Sequence, residues 1–217
     1  MDSMRRAAAQ PRNAIDRTRD VSFAIDQLEK LNRETPPFQK RLDLDRICVA
    51  GHSFGAHTTL TVAGQVFNPR LANSSLADPR VKAAIPMSAP VPPNKSLLDE
   101  CYAKVKIPCL YMTGTKDSSP IGDTKAEERR LPFDHCKNSD QFLITFKEGD
   151  HMIFSGRPRT MGDGEKDARF HELICESSTE FWDAYLRDDA KAKARLTDEF
   201  KSSLGTNGTF EIKLLKP

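Results

Sequence analysis

The sequence has no apolar run approaching the roughly 20 residues needed to cross a bilayer, so no segment reads as a membrane span. It also lacks a CxxC pair and any Cys/His spacing of the kind that holds zinc. Its cysteines, Cys48, Cys101, Cys109, Cys136 and Cys175, are odd in number and are read as buried or free thiols. The stretch Met1 to Pro11 carries Arg5 and Arg6 before three alanines, without the apolar core of a secretory signal, and the expected compartment is the cytoplasm. Asn73 and Asn207 stand in glycosylation sequons, which matter only for a secreted chain. Charge of one sign is scarce too: 33 Lys and Arg face 31 Asp and Glu, a formal net charge of +2, and aromatics make up 7%. The basic residues are interspersed with acidic ones, so there is no electrostatic footprint for nucleic acid. Internal repeats and low-complexity segments are absent.

What is present is a globular composition, 38% hydrophobic and 29% charged over 217 residues. That length accommodates one domain, residues 1–217, with 1–18 as an N-terminal arm and 190–217 as a C-terminal helix and tail. Val21, Ala24, Ile25, Leu28 and Leu31 recur at helical spacing and predict an amphipathic helix over Arg19 to Leu31. After a breaker stretch containing Pro36 and Pro37, Asp45 to Ala50 reads as a strand with the continuous apolar run Ile47, Cys48, Val49. A helix over Gly55 to Val66 and strands over Val81 to Ser88, Ile107 to Thr113 and Gln141 to Phe146 follow. Phe170, Leu173, Ile174, Phe181, Tyr185 and Leu186 mark a long helix to pack on the sheet. Strands alternating with helical segments imply right-handed parallel crossovers, hence an α/β fold with a mostly parallel sheet covered on both faces. In such sheets ligands bind at the carboxyl ends of the strands.

Directly after the first strand the chain reads Gly51, His52, Ser53, Phe54, Gly55, and a helix opens. A GxSxG string arises by chance in roughly one chain in ten of this length, so its value lies in its place between strand and helix. There a strained turn projects the serine from the sheet edge, and the flanking glycines are expected to avoid clashes. The helix N-terminus puts backbone amides, Phe54 first, beside a developing oxyanion.

A serine nucleophile needs an imidazole to take its proton, and the imidazole needs a carboxylate to fix its tautomer. Asp117 falls in the loop after the third strand and His151 in the loop after the fourth, giving the order Ser, Asp, His known for this arrangement on an α/β sheet. Asp123 lies further from the strand end, and Asp150 reads as a loop-capping carboxylate. His52, inside the turn, and His57, one helical turn beyond the nucleophile, read as packing residues with lining of the site as the alternative, and His135 and His171 read as surface ones. Met87, Ile121, Met152 and Phe154 are the candidate lining of an acyl pocket. The three side chains supply nucleophile, base and orienter, so no metal and no organic cofactor is expected.

These residues resemble the α/β-hydrolase superfamily, and GHSFG followed by Ala56 resembles its platelet-activating-factor acetylhydrolase-like and dienelactone-hydrolase-like branch. The resemblance covers Val21 to the C-terminal helix and implies Ser53 as nucleophile, His151 as general base then acid, and Asp117 as its orienting carboxylate. Dienelactone hydrolases carry cysteine where this chain has Ser53. The superfamily's sheet has eight strands with the nucleophile after the fifth; here it follows the first recognisable one. The chain is therefore expected to be an N-terminally shortened member, with one oxyanion amide, at Phe54, and no HGGG-like run for the second. A nucleophile strand without its neighbour is an open edge that invites association, so a homo-oligomer covering that edge is expected, with no membrane or nucleic-acid partner. The function expected is a serine carboxylesterase acting on small or short-chain acyl esters through an acyl-enzyme. The alternative is a weak or inactive remnant serving as a binding module, and lactonase or peptidase chemistry would use the same three side chains.

Overall fold

The structure, a computed structural model, describes residues 2–66, 68–70, 75–155 and 164–215. Asn73 of the first sequon lies outside them. Helix α1 (Asp2–Ala9) and helix α2 (Pro11–Glu34) lead into strand β1 (Ile47–His52), helix α3 (Phe54–Ala63) and strand β2 (Val81–Met87). Helix α4 (Leu98–Tyr102), strand β3 (Cys109–Lys116), helix α5 (Leu131–His135) and strand β4 (Gln141–Asp150) follow. Helix α6 (Gly164–Leu186), helix α7 (Ala190–Ala194), helix α8 (Phe200–Leu204) and strand β5 (Gly208–Lys213) complete the order. The sheet runs β1-β2-β3-β4-β5, parallel through β4, with β5 antiparallel to β4. The strand expected over Gln141 to Phe146 continues to Asp150, which carries the chain directly to His151.

The continuous apolar runs are explained by alternation into two cores. Phe142, Ile144 and Phe146 point to one face and pack with Phe170, Leu173 and Phe181 of α6 and with Phe200 and Leu204 of α8. Leu143 and Tyr111 point to the other, against Leu60 of α3, Tyr102 of α4 and Phe133 of α5. With period-2 side chains and both faces covered, the middle of a central strand such as Phe142, Leu143 and Ile144 is apolar at successive positions. Helix α3 is buried from Thr58 to Ala63, because α2 covers it on the side away from the sheet.

The residues expected as an arm and a tail have regular structure. Within 1–18, Ala14 and Thr18 of α2 are buried, and within 190–217 the chain returns as β5. The buried residues of α2 are Ala14, Thr18 and Ile25, with Val21 partly buried beside them, a stripe shifted from the one expected, so Ala24 is exposed and Phe23 and Leu28 are 61% and 42% exposed. Arg80, the residue before β2, ties α2 to the sheet through Asp26 and Glu29 and is itself held by Asp78 of its own loop. Strand β1 pairs only with β2 among the described residues, so the strand that bears the nucleophile motif is a sheet edge. No described helix is long and apolar enough to cross a membrane.

Candidate active site

At the carboxyl end of β1 the chain reverses into α3 through Ser53, whose φ of 58° and ψ of −117° are costly for a residue with a Cβ. The turn is held by the Ser53 amide donating to the Met87 carbonyl at 2.9 Å and by the His57 amide donating to the Ser53 carbonyl at 3.2 Å. Phe54 opens the helix, so its amide has no carbonyl one turn back within the helix to bond. Arg17 of α2 stacks over the Phe54 ring, 5.0 Å from its centroid.

The two glycines of the motif differ, against the expectation that both relieve clashes. A Cβ on Gly51 would lie 2.4 Å from the Gly55 carbonyl oxygen and 2.7 Å from Thr59 Oγ1, whereas one on Gly55 would meet nothing within 4 Å. Gly51 sits under the returning backbone of α3; Gly55 lies on its open side. Gly51→Ala is therefore expected to disrupt the turn, with a loss of stability of about 3 kcal/mol or failure to fold. Gly55→Ala, in the first turn of a helix, should be neutral or slightly stabilising. Thermal melts of the two variants check the contrast.

His151 begins a short 3-10 turn, His151–Phe154, immediately after β4, and Asp117 follows β3. The structure brings them to Ser53: His151 Nε2 is 2.9 Å from Ser53 Oγ, and His151 Nδ1 is 2.7 Å from Asp117 Oδ1. A carboxylate oxygen only accepts, so Nδ1 carries the proton and Nε2 is the bare nitrogen facing the serine hydroxyl. The loops meet this closely because Gly114 and Gly149 touch: a Cβ on Gly114 would stand 2.1 Å from the Gly149 carbonyl oxygen.

Asp117 is fully buried. Burial alone would raise its carboxyl, but the hydrogen bond from His151, the charge of Arg129 and the hydrogen bond from Thr113 Oγ1 at 2.9 Å together hold it below the usual carboxylate range. A depressed carboxyl contributes stability that is present above its unfolded value and lost as pH falls through the folded one. Its environment thus keeps it ionised at neutral pH beside the imidazole.

His52 lies against His151, ring centroids 4.6 Å apart, and 5.8 Å from the Phe154 ring. Burial, and then the neighbouring His151, lower its basicity, so it adds no second cation at neutral pH. His57 is pushed down to about 4 by burial and by Arg17. Asp150 caps the Met152 amide at 2.8 Å, the loop-capping role expected of it. His135 bonds Asp99 at the surface, while His171, read as a surface residue, donates to the Ile153 carbonyl at 2.9 Å and ties α6 to the turn that carries His151.

Of the candidate pocket residues, Phe154 borders the site through His52 and packs on Phe146. Met152 is 44% exposed beside His151, and Met87 ends β2 next to the Ser53 turn. Ile121 is half-buried on the Asp117 loop, its amide bonded to Ser119 Oγ. Thr113, Ser88 and Arg129 were not singled out in the sequence, although Thr113 bonds the carboxylate and Arg129 bonds both loops. No described group of three or more His, Cys, Asp or Glu side chains has a geometry that could hold a metal ion.

In comparisons with known proteins, the family model described as PET hydrolase-like matches residues 6–184. The search of curated proteins found no match.

Proposed function

The chain belongs to the PET hydrolase-like family and is a carboxylic ester hydrolase, and from that premise we propose that it is a serine esterase of small or short-chain acyl esters working through Ser53, His151 and Asp117. The observation that carries the reading is the unbroken chain of short hydrogen bonds from Asp117 through His151 to a serine on a strained strand-to-helix turn. In the acylation step Ser53 Oγ attacks the ester carbonyl carbon as its proton passes to His151 Nε2. The carbonyl oxygen takes the negative charge and is met by the Phe54 amide at the N-terminus of α3. The imidazolium, its Nδ1–H held by Asp117, returns the proton to the departing alkoxide, leaving an acyl-serine. Water, giving a proton to the same imidazole, then attacks the acyl carbon; the Ser53 Oγ–acyl bond breaks, Oγ takes the proton back from the imidazolium, and the carboxylic acid leaves.

The test compares the native protein with Ser53→Ala on a short p-nitrophenyl ester; hydrolysis that depends on Ser53 supports the reading, and equal rates overturn it. Equal rates would favour the second reading, a catalytically weak binding module. The observation on that side is that the nucleophile strand is a sheet edge among the described residues, without the neighbour that a full-length sheet would give it.

The partner proposed for the open side of β1 is a second copy of the chain. An unpaired row of backbone donors and acceptors on a strand whose residues are mostly half-buried is a template for strand pairing. Light scattering at micromolar concentration should give the mass of a dimer or larger assembly; a monomer mass contradicts it.

A further inference from the structure

The second buried charge at the site is Arg129, on the short turn Ala126–Arg130 that follows the Asp117 loop. In the sequence it stands in the charged run Lys125 to Arg130, where a solvated face is the ordinary expectation; in the fold it is 2% exposed. Burying a guanidinium is costly unless its charge is paired and its donors are used. Its Nη1 donates to the Ser88 carbonyl at 2.8 Å and its Nε donates to the Asp117 carbonyl at 3.0 Å. The same Nε lies 3.6 Å from Asp117 Oδ1, an ion pair beyond hydrogen-bond length.

Those acceptors belong to the two loops that must stay in register for the chemistry. Ser88 leaves β2 in a left-handed conformation, φ 53°, and the residue before it, Met87, accepts the Ser53 amide that closes the nucleophile turn. One planar side chain therefore spans from the support of the nucleophile to the loop of the acid. Lysine offers a point charge and cannot reproduce that fork. The carboxylate oxygen nearest the cation, Oδ1, is also the one that accepts from His151 Nδ1.

We infer that Arg129 is a positioning residue for ester hydrolysis: its guanidinium locks the end of β2 to the Asp117 loop and sets a positive charge beside the carboxylate oxygen that meets His151. This rests on the reading of Ser53, His151 and Asp117 as the reacting group. The titratable and charged groups that act on this site are His151 from the turn after β4, His52 from the end of β1 and Arg129 itself, with Glu128 acting on Arg129 from its own turn. Among them Arg129 is the permanent cation, so removing it weakens the ionised form of Asp117. An arginine that served only to brace the loops would change the folded fraction and the rate, but would leave the pH dependence where it was.

The experiment measures kcat and kcat/KM for a short p-nitrophenyl ester from acid to neutral pH in the native protein, Ser53→Ala, Arg129→Gln and Arg129→Lys, with folding checked by circular dichroism. In Arg129→Gln the acid limb of kcat/KM is expected to move upward by roughly one pH unit. In Arg129→Lys the limb should stay in place while kcat falls by roughly tenfold to a hundredfold, from lost alignment. An acid limb unmoved in Arg129→Gln overturns the inference. Should that variant not fold, Arg129→Lys decides: lowered kcat at an unmoved limb supports the positioning role, and native kcat overturns it. A native protein no faster than Ser53→Ala defeats the reading of the reacting group, and this inference with it; Ser53-dependent turnover with an unmoved limb in Arg129→Gln defeats only the role of Arg129.

Discussion

Replacing Ser53 with alanine is expected to lower turnover of a short p-nitrophenyl ester by roughly 10⁴-fold or more, with the fold intact, as measured by steady-state hydrolysis and a thermal melt. The magnitude follows from the loss of the covalent route itself. Without Oγ, His151 Nε2 has no proton to take at 2.9 Å, and only water activation and the Phe54 amide remain. Stability should change by no more than about 1 kcal/mol, because the hydroxyl makes one part-buried hydrogen bond and alanine has the same Cβ in the strained turn. A large loss of activity with an unchanged melt separates the nucleophile from a serine that merely helps shape the turn.

Asp117→Asn should have the second largest effect, and on two observables. The native carboxylate accepts from His151 Nδ1 through one oxygen and from Thr113 Oγ1 through the other. An asparagine must turn its NH2 toward one of them. Turned toward His151, it forces the proton onto Nε2 and leaves no base for Ser53; turned toward Thr113, it keeps the tautomer but removes the charge that stabilises the imidazolium. Either orientation lowers kcat, by roughly 10³- to 10⁴-fold. The variant also strips the counter-charge from Arg129, whose side chain is 1% exposed, and an unpaired buried guanidinium should destabilise the fold by about 3 kcal/mol. Chemical denaturation of Asp117→Asn against the native protein reads the second effect independently of activity.

The parts of this fold that could be read in the sequence are those governed by local pattern. A strand buried on both faces reads as a near-continuous apolar run, and Phe142, Leu143 and Ile144 say so directly, whereas the similar run Ile47 to Val49 belongs to a half-buried edge strand. The reacting side chains lie within a few residues of strand ends, so strand order alone brought Asp117 and His151 into consideration. Contacts between distant segments left no such trace. Arg129 sits in a run of charged residues whose neighbours are mostly partly or fully exposed, and its burial comes from the fold of two loops around it. The need for Gly51 and the indifference of Gly55 depend on the direction in which α3 returns over β1. Strand β5 comes from a short stretch, Gly208–Lys213, whose alternation of Thr209, Phe210, Glu211 and Ile212 is too brief to stand out, and its pairing with β4 over Gln141 to Phe146 is what makes it a strand.

The most direct measurement is mass spectrometry of the native protein after exposure to a fluorophosphonate ester, which reports an activated serine without needing the natural substrate. The expected result is a single phosphonyl adduct on Ser53, absent in Ser53→Ala and strongly slowed in Asp117→Asn. A native, folded protein that takes up no label at Ser53, or labels equally well in Asp117→Asn, would contradict the assignment of Ser53, His151 and Asp117 as one reacting unit.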